Sequence, residues 1–237
     1  MSFGNFLYLL RASVGDVDGL MSEQDPKRFQ MMSKSIFTQD KRYSFSDYFN
    51  MSNPAEEIIA ELGYRLDFEA IHFSLAKDIN QNTVDKLKNF YYKLLPKITV
   101  NSEIAKREFM IAPLLHEVIL DIDAKLNIEY PIDINDKLNG VIDYLIRSQQ
   151  ELIVIEAKKG DLDRGFNQLA AELIALDAYE DNDTPEILYG AITIGEVWRF
   201  CILKRQEKII IKDINLFRFP QDTKEILAVL FGILAKR

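Results

Sequence analysis

Three charged side chains stand where apolar strands would otherwise run: Asp143, Glu156 and Lys158. Asp143 interrupts Val141, Ile142, Tyr144, Leu145 and Ile146, while Glu156 and Lys158 close the run that begins at Leu152. Runs of this length and β-branched content predict strands, and the polar segment Arg147 to Glu151 is short enough for a hairpin. Period-2 alternation puts Leu152, Val154, Glu156 and Lys158 on one face of the second strand, with Asp143 on the partner strand able to face them. Charge on an apolar strand is costly to bury and needs a partner, a metal or an exposed strand end. Two converging carboxylates repel each other unless a cation lies between them, and hard oxygen ligands suit Mg²⁺ or Mn²⁺. A metal so held activates water and neutralises charge at a phosphate, and a lysine beside it can orient or polarise that water. The chemistry predicted is metal-dependent phosphodiester cleavage. The competing reading of the same charges is a buried Asp–Lys or Glu–Lys pair that holds the sheet together.

The flanking elements must position these groups. Ser102 can cap a helix that runs to about Ile122, with an apolar stripe of Ile104, Ile111, Leu115, Val118 and Ile122. Glu108 falls inside that stripe, and a carboxylate on a core face needs an explanation; the bland one is a glutamate snorkelling at the margin. Pro113 predicts a kink, or a helix restarting there. Leu126 to Ile134 predicts a strand that Pro131 confines to an edge or a bulge. After Lys158, a turn leads into a helix from about Arg164 to Tyr179, with Phe166, Leu169, Ala170 and Leu173 buried and Gln168 at the edge. A helix starting beside the charged strand directs backbone donors and Gln168 towards an anion. Glu186 to Ile194 predicts a strand buried on both faces and, being reached by a crossover helix, parallel to its neighbour. Trp198 to Lys204 and Lys208 to Lys212 predict a further hairpin, and Asp222-x-x-Glu225 a capping-box variant before a terminal helix.

At Asp143 and Glu156-Ala157-Lys158 the chain resembles the PD-(D/E)XK nuclease superfamily, whose pattern is Asp, a gap, then (Asp/Glu)-x-Lys at the end of the next strand. Gln168 sits where many members carry the Gln of Gln-x-x-x-Tyr, and Glu172 occupies the Tyr position. Arg107-Glu108-Phe109-Met110-Ile111-Ala112-Pro113 is similar to a helix that precedes the strands in the nuclease domain of type I restriction-enzyme motor subunits and in small bacterial relatives. The resemblance covers roughly Ser102 to Leu203. It implies an α/β (α+β) fold: a restriction-endonuclease-like core, with a central mixed sheet flanked by helices. It also implies Mg²⁺ (or Mn²⁺) held by Asp143, Glu156 and the Ala157 carbonyl, with Lys158 on the water and Gln168 completing the site. A glutamate on the preceding helix often reaches such a metal; Glu108 is the candidate, with Glu103 and Glu117 as alternatives. The implied partner is nucleic acid, DNA ahead of RNA, and many members pair as homodimers.

Length and composition set the bounds. The 237 residues allow one large domain or a core with an added module, and the expected division is a mostly helical extension over 1–100 before a core over 101–237. In that extension Phe3 to Ala12 and a start at Asp25-Pro26 predict helices, as do Pro54 to Gly63 and Asn82 to Leu95. Lys41 to Phe49 mixes aromatics with charge and predicts a loop anchored on the core, ahead of a stacking surface for a nucleic-acid strand. The single Cys201 rules out an internal disulfide and fits a reducing cytoplasm. No apolar run approaches the roughly 18–20 residues of a membrane span, and the N-terminus lacks a signal-peptide layout. A net charge of −8 argues against broad wrapping in nucleic acid. It also keeps a second function class open: the same fold as a metal-free scaffold. A basic cleft near Lys158, Lys159 and Arg164 would favour the nuclease, an acidic rim the scaffold. Nucleotide binding lacks its Gly-rich loop.

Overall fold

The computed structural model describes residues 35–148, 151–156, 160–179 and 185–235, with 151–156 described as a strand path only. From Ser35 on the chain packs as one compact unit. The helices expected at Phe3 to Ala12 and from Asp25-Pro26 lie outside the described residues.

Ser44 opens α1 (Phe45–Asn50), its backbone N–H donating to Asp47 Oδ2 at 2.8 Å. The expected loop is corrected here to a short helix, because Ser44 and Asp47 start it, while Tyr43, Phe45, Tyr48 and Phe49 are buried and anchor the segment on the core. Pro54 and two glutamates in the first turn start α2 (Ala55–Glu61), and β1 (Arg65–Glu69) follows. Asn80 caps α3 (Gln81–Leu94) by accepting from the Asn82 N–H at 3.0 Å. Because α1 and α2 pack on the later helix α6 (Leu162–Tyr179) and β1 joins the main sheet, no break in packing falls at residue 100.

The expected long helix is three pieces: α4 (Glu103–Lys106), a π-helical turn (Arg107–Ile111) and α5 (Ala112–Asp121), with Pro113 in the first turn of α5. The helix restarts at the proline, where a missing N–H is harmless. Then come β2 (Lys125–Asp133), β3 (Asn139–Arg147), β4 (Glu151–Glu156), the helix α6, β5 (Ile187–Thr193), β6 (Val197–Lys204), β7 (Ile209–Asp213), β8 (Phe217–Arg218) and α7 (Thr223–Leu234). The sheet is mixed, in the order β1-β7-β6-β5-β4-β3-β2, with β8 paired to β6. β2, β3 and β4 form an antiparallel meander, α6 carries the chain across to β5 parallel to β4, and β1 is parallel to β7. Pro131 lies on β2, an edge strand, where its missing donor disrupts no interior ladder. At α7 the side chain of Asp222 accepts from the Arg218 N–H at 2.7 Å and does not cap its own helix.

Helices cover both faces of this sheet. One core joins α1, α2 and α6 to Leu66, Leu188, Ile192, Leu203 and Ile210. The other joins α3, α5 and α7 to Tyr144, Ile146, Ala191, Trp198 and Phe200. The strand residues divide between the cores by alternation, as the pleat requires. The protein is thus mixed α/β, with a mixed sheet between two helical layers.

Candidate functional site

β3 begins where Gly140 adopts φ +143°, and a Cβ there would lie 2.8 Å from the Phe45 ring. Glycine lets α1 press directly onto the strand. Three residues on, the regular pleat slips. Ile142 and Leu145 join the core beneath α6, whereas Tyr144 and Ile146 join the opposite one, although Ile142 and Tyr144 are two residues apart. The ladder with β2 pairs Ile128 with Tyr144 and Tyr130 with Ile142, passing over Glu129 and Asp143, and Glu129 takes a left-handed φ of +54°. A non-glycine residue in that region is strained, and such strain gathers at sites with a job beyond packing.

Arg107 fills the irregularity. Its Nη1 lies 3.4 Å from Asp143 Oδ1 and 3.5 Å from Glu129 Oε1, its guanidinium covers the Tyr144 ring at 5.3 Å, and its carbonyl accepts from the Tyr144 hydroxyl at 3.4 Å. Arg107 and Asp143 are both largely buried, at 18% and 17% side-chain exposure. Burial works against the Arg107 charge, yet Asp143, Tyr144 and Glu129 together hold its pKa above the ordinary guanidinium value.

On the neighbouring strand the β3–β4 ladder has its last pair at Tyr144 and Val154. Asp143 lies one residue beyond that pair on β3, and Glu156 ends β4 two residues beyond it, level with Thr193 of β5. Both positions therefore sit where β3 and β4 cease to pair. The Glu156 side chain, Ala157 and Lys158 lie outside the described residues.

Glu108 is solvent-exposed, as is Ile104 at 67%, so the expected stripe is corrected: the buried residues are Met110, Ile111, Leu114, Leu115 and Val118. The π turn is the reason. It spreads Arg107–Ile111 over a wider turn, so spacing counted at 3.6 residues from Ile104 loses phase before Ile111. Arg107 turns inward in its place, a residue the periodicity did not single out; Pro113 was the one sequence signal of the break. Glu117 is engaged by Lys86 Nζ at 2.6 Å, and Glu103 is half-buried in α4.

Gln168 is buried, not at the edge of its helix, because α6 is covered on every side from Gly165 to Leu176. Its Nε2 donates to Glu172 Oε1 at 3.0 Å, and Glu172 is fully buried. Position 172, which departs from the Tyr of the family pattern, thus holds the acceptor for Gln168.

Past the N-terminal end of α6 lies a cleft of about 400 Å³ lined by Arg164, Asn167, Asp163, Lys212 and the segment between α1 and α2. Lys212 is buried and donates to Asp163 Oδ1 at 2.7 Å, and Arg164 pairs with Asp161 at 3.4 Å. The hydrogen bond from Lys212 holds the Asp163 carboxyl below the usual carboxylate value against partial burial, helped by the charges of Lys212 and Arg199. The rim is mixed in charge, neither basic nor purely acidic; Lys158 and Lys159 lie outside the described residues. Among the described residues no three His, Cys, Asp or Glu side chains converge as a metal-binding group. No described helix is long and apolar enough to cross a membrane. No protein-family model matches the sequence, and no curated protein matches it significantly.

Proposed function

We propose that the chain is a metal-dependent nuclease of the PD-(D/E)XK type, with a restriction-endonuclease-like core, acting on nucleic acid and on DNA first. The observation that carries this reading is the irregularity at Asp143, next to the point where β3 and β4 stop pairing and β4 ends in Glu156. The order α5, β2, β3, β4, α6, β5, with β4 and β5 parallel, is the order the resemblance implies for the nuclease core. Asp143, Glu156 and the Ala157 carbonyl would supply hard oxygen donors, a set that suits Mg²⁺ and also accepts Mn²⁺. The ion supplies charge neutralisation at the phosphate and a water of lowered pKa. Lys158 would orient that water and stabilise the charge that develops on the phosphate oxygens. Gln168, fixed by Glu172, would hold α6 against the strand end, and Glu108, exposed beside Arg107, would act through water. A pair of chains would cut both strands, in a cytoplasm that suits the buried thiol of Cys201.

One observation favours a second reading. The guanidinium of Arg107 already neutralises Asp143, which is what a catalytically silent scaffold of the same shape would need. The deciding experiment is calorimetric Mn²⁺ and Mg²⁺ binding to the wild type beside Asp143→Ala, Glu156→Ala and Lys158→Ala, with cleavage of mixed DNA and RNA in parallel. The nuclease reading requires metal binding lost in both carboxylate variants and cleavage lost in all three. A wild type that binds no metal, with variants that only lose stability, leaves the scaffold.

A further inference from the structure

Lys212, on β7, has 8% of its side chain exposed and sets its ammonium over the Phe166 ring at 4.4 Å and the Phe68 ring at 5.7 Å. Its hydrogen bond goes to Asp163 Oδ1 at 2.7 Å, and Nη1 of Arg199, on the neighbouring β6, reaches the same oxygen at 3.4 Å. Neither cation has a further hydrogen-bond partner among the described residues. Arg199 is sheltered too, at 17% side-chain exposure, whereas the Asp163 side chain is 81% exposed. One oxygen position thus faces two sheltered cations, and the side chain that fills it stands mostly in solvent.

That position borders the cleft of about 400 Å³ past α6, whose lining includes Asp163, Lys212 and Phe68. Phe68 pairs with Lys212 in the β1–β7 ladder and is 52% exposed, so part of its ring is open to a stacking partner. A cleft of this volume suits one small ligand and does not admit a duplex. Asp161 pairs with Arg164 and accepts the N–H groups of Asp163 and Arg164, so the start of α6 is already capped and Lys212 and Arg199 are what remains for an anion. Arg199 is level with Ile192, next to Thr193, which is level with Glu156. The strands β6 and β4 are two spacings apart, roughly 10 Å, so the cleft opens on the same edge of the sheet as the end of β4.

We propose that this cleft holds one nucleotide of a single-stranded stretch of nucleic acid. A phosphate oxygen takes the place of Asp163 Oδ1 between Lys212 and Arg199, and the base stacks on Phe68. The phosphate gains charge-assisted hydrogen bonds from both cations, and Asp163, already exposed, turns out into water. A base can lie on an aromatic ring only where it is unpaired, which makes the substrate class single-stranded. Phosphate and a ring face carry no base-edge readout, so binding is independent of sequence. The proposal rests on the nuclease reading for nucleic acid as the ligand, but the cleft itself needs no metal.

The test measures binding of the full chain, in EDTA, to a labelled oligothymidylate and to a blunt duplex of equal length by fluorescence anisotropy. The oligothymidylate binds at least about tenfold more tightly than the duplex. Asp163→Asn removes the competing carboxylate and raises that affinity by about threefold, while Asp161→Asn, with the same change of net charge, raises it less. Phe68→Ala lowers it by about tenfold and Phe68→Trp keeps it. Lys212→Met lowers it by about tenfold and flattens the salt dependence by about 0.7 in slope, the loss of one phosphate contact. Duplex bound as tightly as oligothymidylate, Asp163→Asn no tighter than wild type, or Phe68→Ala equal to wild type overturns the proposal. Should Lys212→Met no longer unfold cooperatively, the variants at the exposed Asp163 and Phe68 decide. Metal binding at Asp143 and Glu156 without an oligothymidylate preference overturns the cleft alone; oligothymidylate binding with these responses but no metal leaves the cleft and removes the nuclease.

Discussion

Arg107 Nη1 stands 3.4 Å from Asp143 Oδ1, in the place where the β2–β3 ladder skips a pair. A guanidinium there competes with any metal for the carboxylate, since both gain from the same negative charge. Arg107→Gln should therefore raise Mn²⁺ affinity by about tenfold, roughly 1.4 kcal/mol. It should also lower thermal stability, because Asp143 and Glu129 lose a shared cation. Calorimetry paired with a melt reads both. Mn²⁺ affinity that falls or stays level would show that Arg107 and the metal do not share Asp143.

Gln168 and Glu172 form a buried pair one helical turn apart, and the amide is the donor. Replacing Gln168 by Leu keeps the volume and removes that donor from a fully buried carboxyl. The expected loss is about 1–3 kcal/mol in urea unfolding, with the m-value unchanged. A loss below about 0.5 kcal/mol would mean that the carboxyl is satisfied without Gln168.

Strands and helices were legible where burial alone chose the residues: β3, β4, α6, β5 and the β6–β7 hairpin follow the apolar runs, and the parallel β4–β5 pair follows from the crossover length. Among the features that were not, two have a plain physical reason. β1 is a short edge strand, Arg-Leu-Asp-Phe-Glu, with one buried residue, so its pairing with β7 leaves almost no apolar pattern. The inward turn of Arg107 depends on a π turn, and helical periodicity assumes that no such turn exists. Asp143 itself was visible because charge inside an apolar run is conspicuous. Its partner was hidden because Arg107 looks like any surface cation in a helix.

The Lys212–Asp163 bond gives acid sensitivity a definite direction. A carboxylate held below its ordinary value adds stability that is complete above the unfolded pKa near 4 and is lost as pH falls through the depressed value. Because Asp163 is 81% exposed, solvent screens the pair and the expected contribution is about 1 kcal/mol at most. Wild type and Asp163→Asn should thus differ at pH 6 and converge towards pH 3. A gap that widens on acidification would have the wrong sign for this pair.

Asp177 joins three elements by its carboxylate and carbonyl. Tyr64 donates to its Oδ2 at 2.5 Å, Arg205 Nε donates to its Oδ1 at 2.6 Å, and Arg205 Nη2 reaches its carbonyl at 3.1 Å. Burial, then the bond to Asp177, raises the Tyr64 pKa well above the usual phenol range. Arg205 lies in the β6–β7 turn, so the end of α6 is bolted to the hairpin and to the entry of β1. Asp177→Ala should cost about 3 kcal/mol by taking the carboxylate away from a largely buried guanidinium, and Tyr64→Phe about 1 kcal/mol by removing one hydrogen bond. Denaturant melts of both and of the double variant measure the coupling. Strictly additive losses would show that the two bonds act independently.

Gly232 lies inside α7, where alanine would ordinarily stabilise the helix by about 0.5–1 kcal/mol. Here a Cβ would stand 1.6 Å from the Ser74 carbonyl oxygen and 3.0 Å from the Ala76 nitrogen. The obstacle is backbone, so no rotamer change relieves it, and either the helix or the segment between β1 and α3 must move. The segment moves more cheaply, since most of α7 is buried in the core whereas Ser74, Leu75, Lys77 and Asp78 are exposed, and its movement would break the Ala76–Ala228 bond. Gly232→Ala should therefore destabilise the protein by about 2 kcal/mol or more and abolish slow hydrogen exchange at the Ala76 amide. Gly63→Ala is the control: it has open space but a φ of +88°, so it should cost about 1 kcal/mol of backbone strain and leave Ala76 exchange unchanged. Retained protection at Ala76 in Gly232→Ala would show that α7, not the segment, gives way.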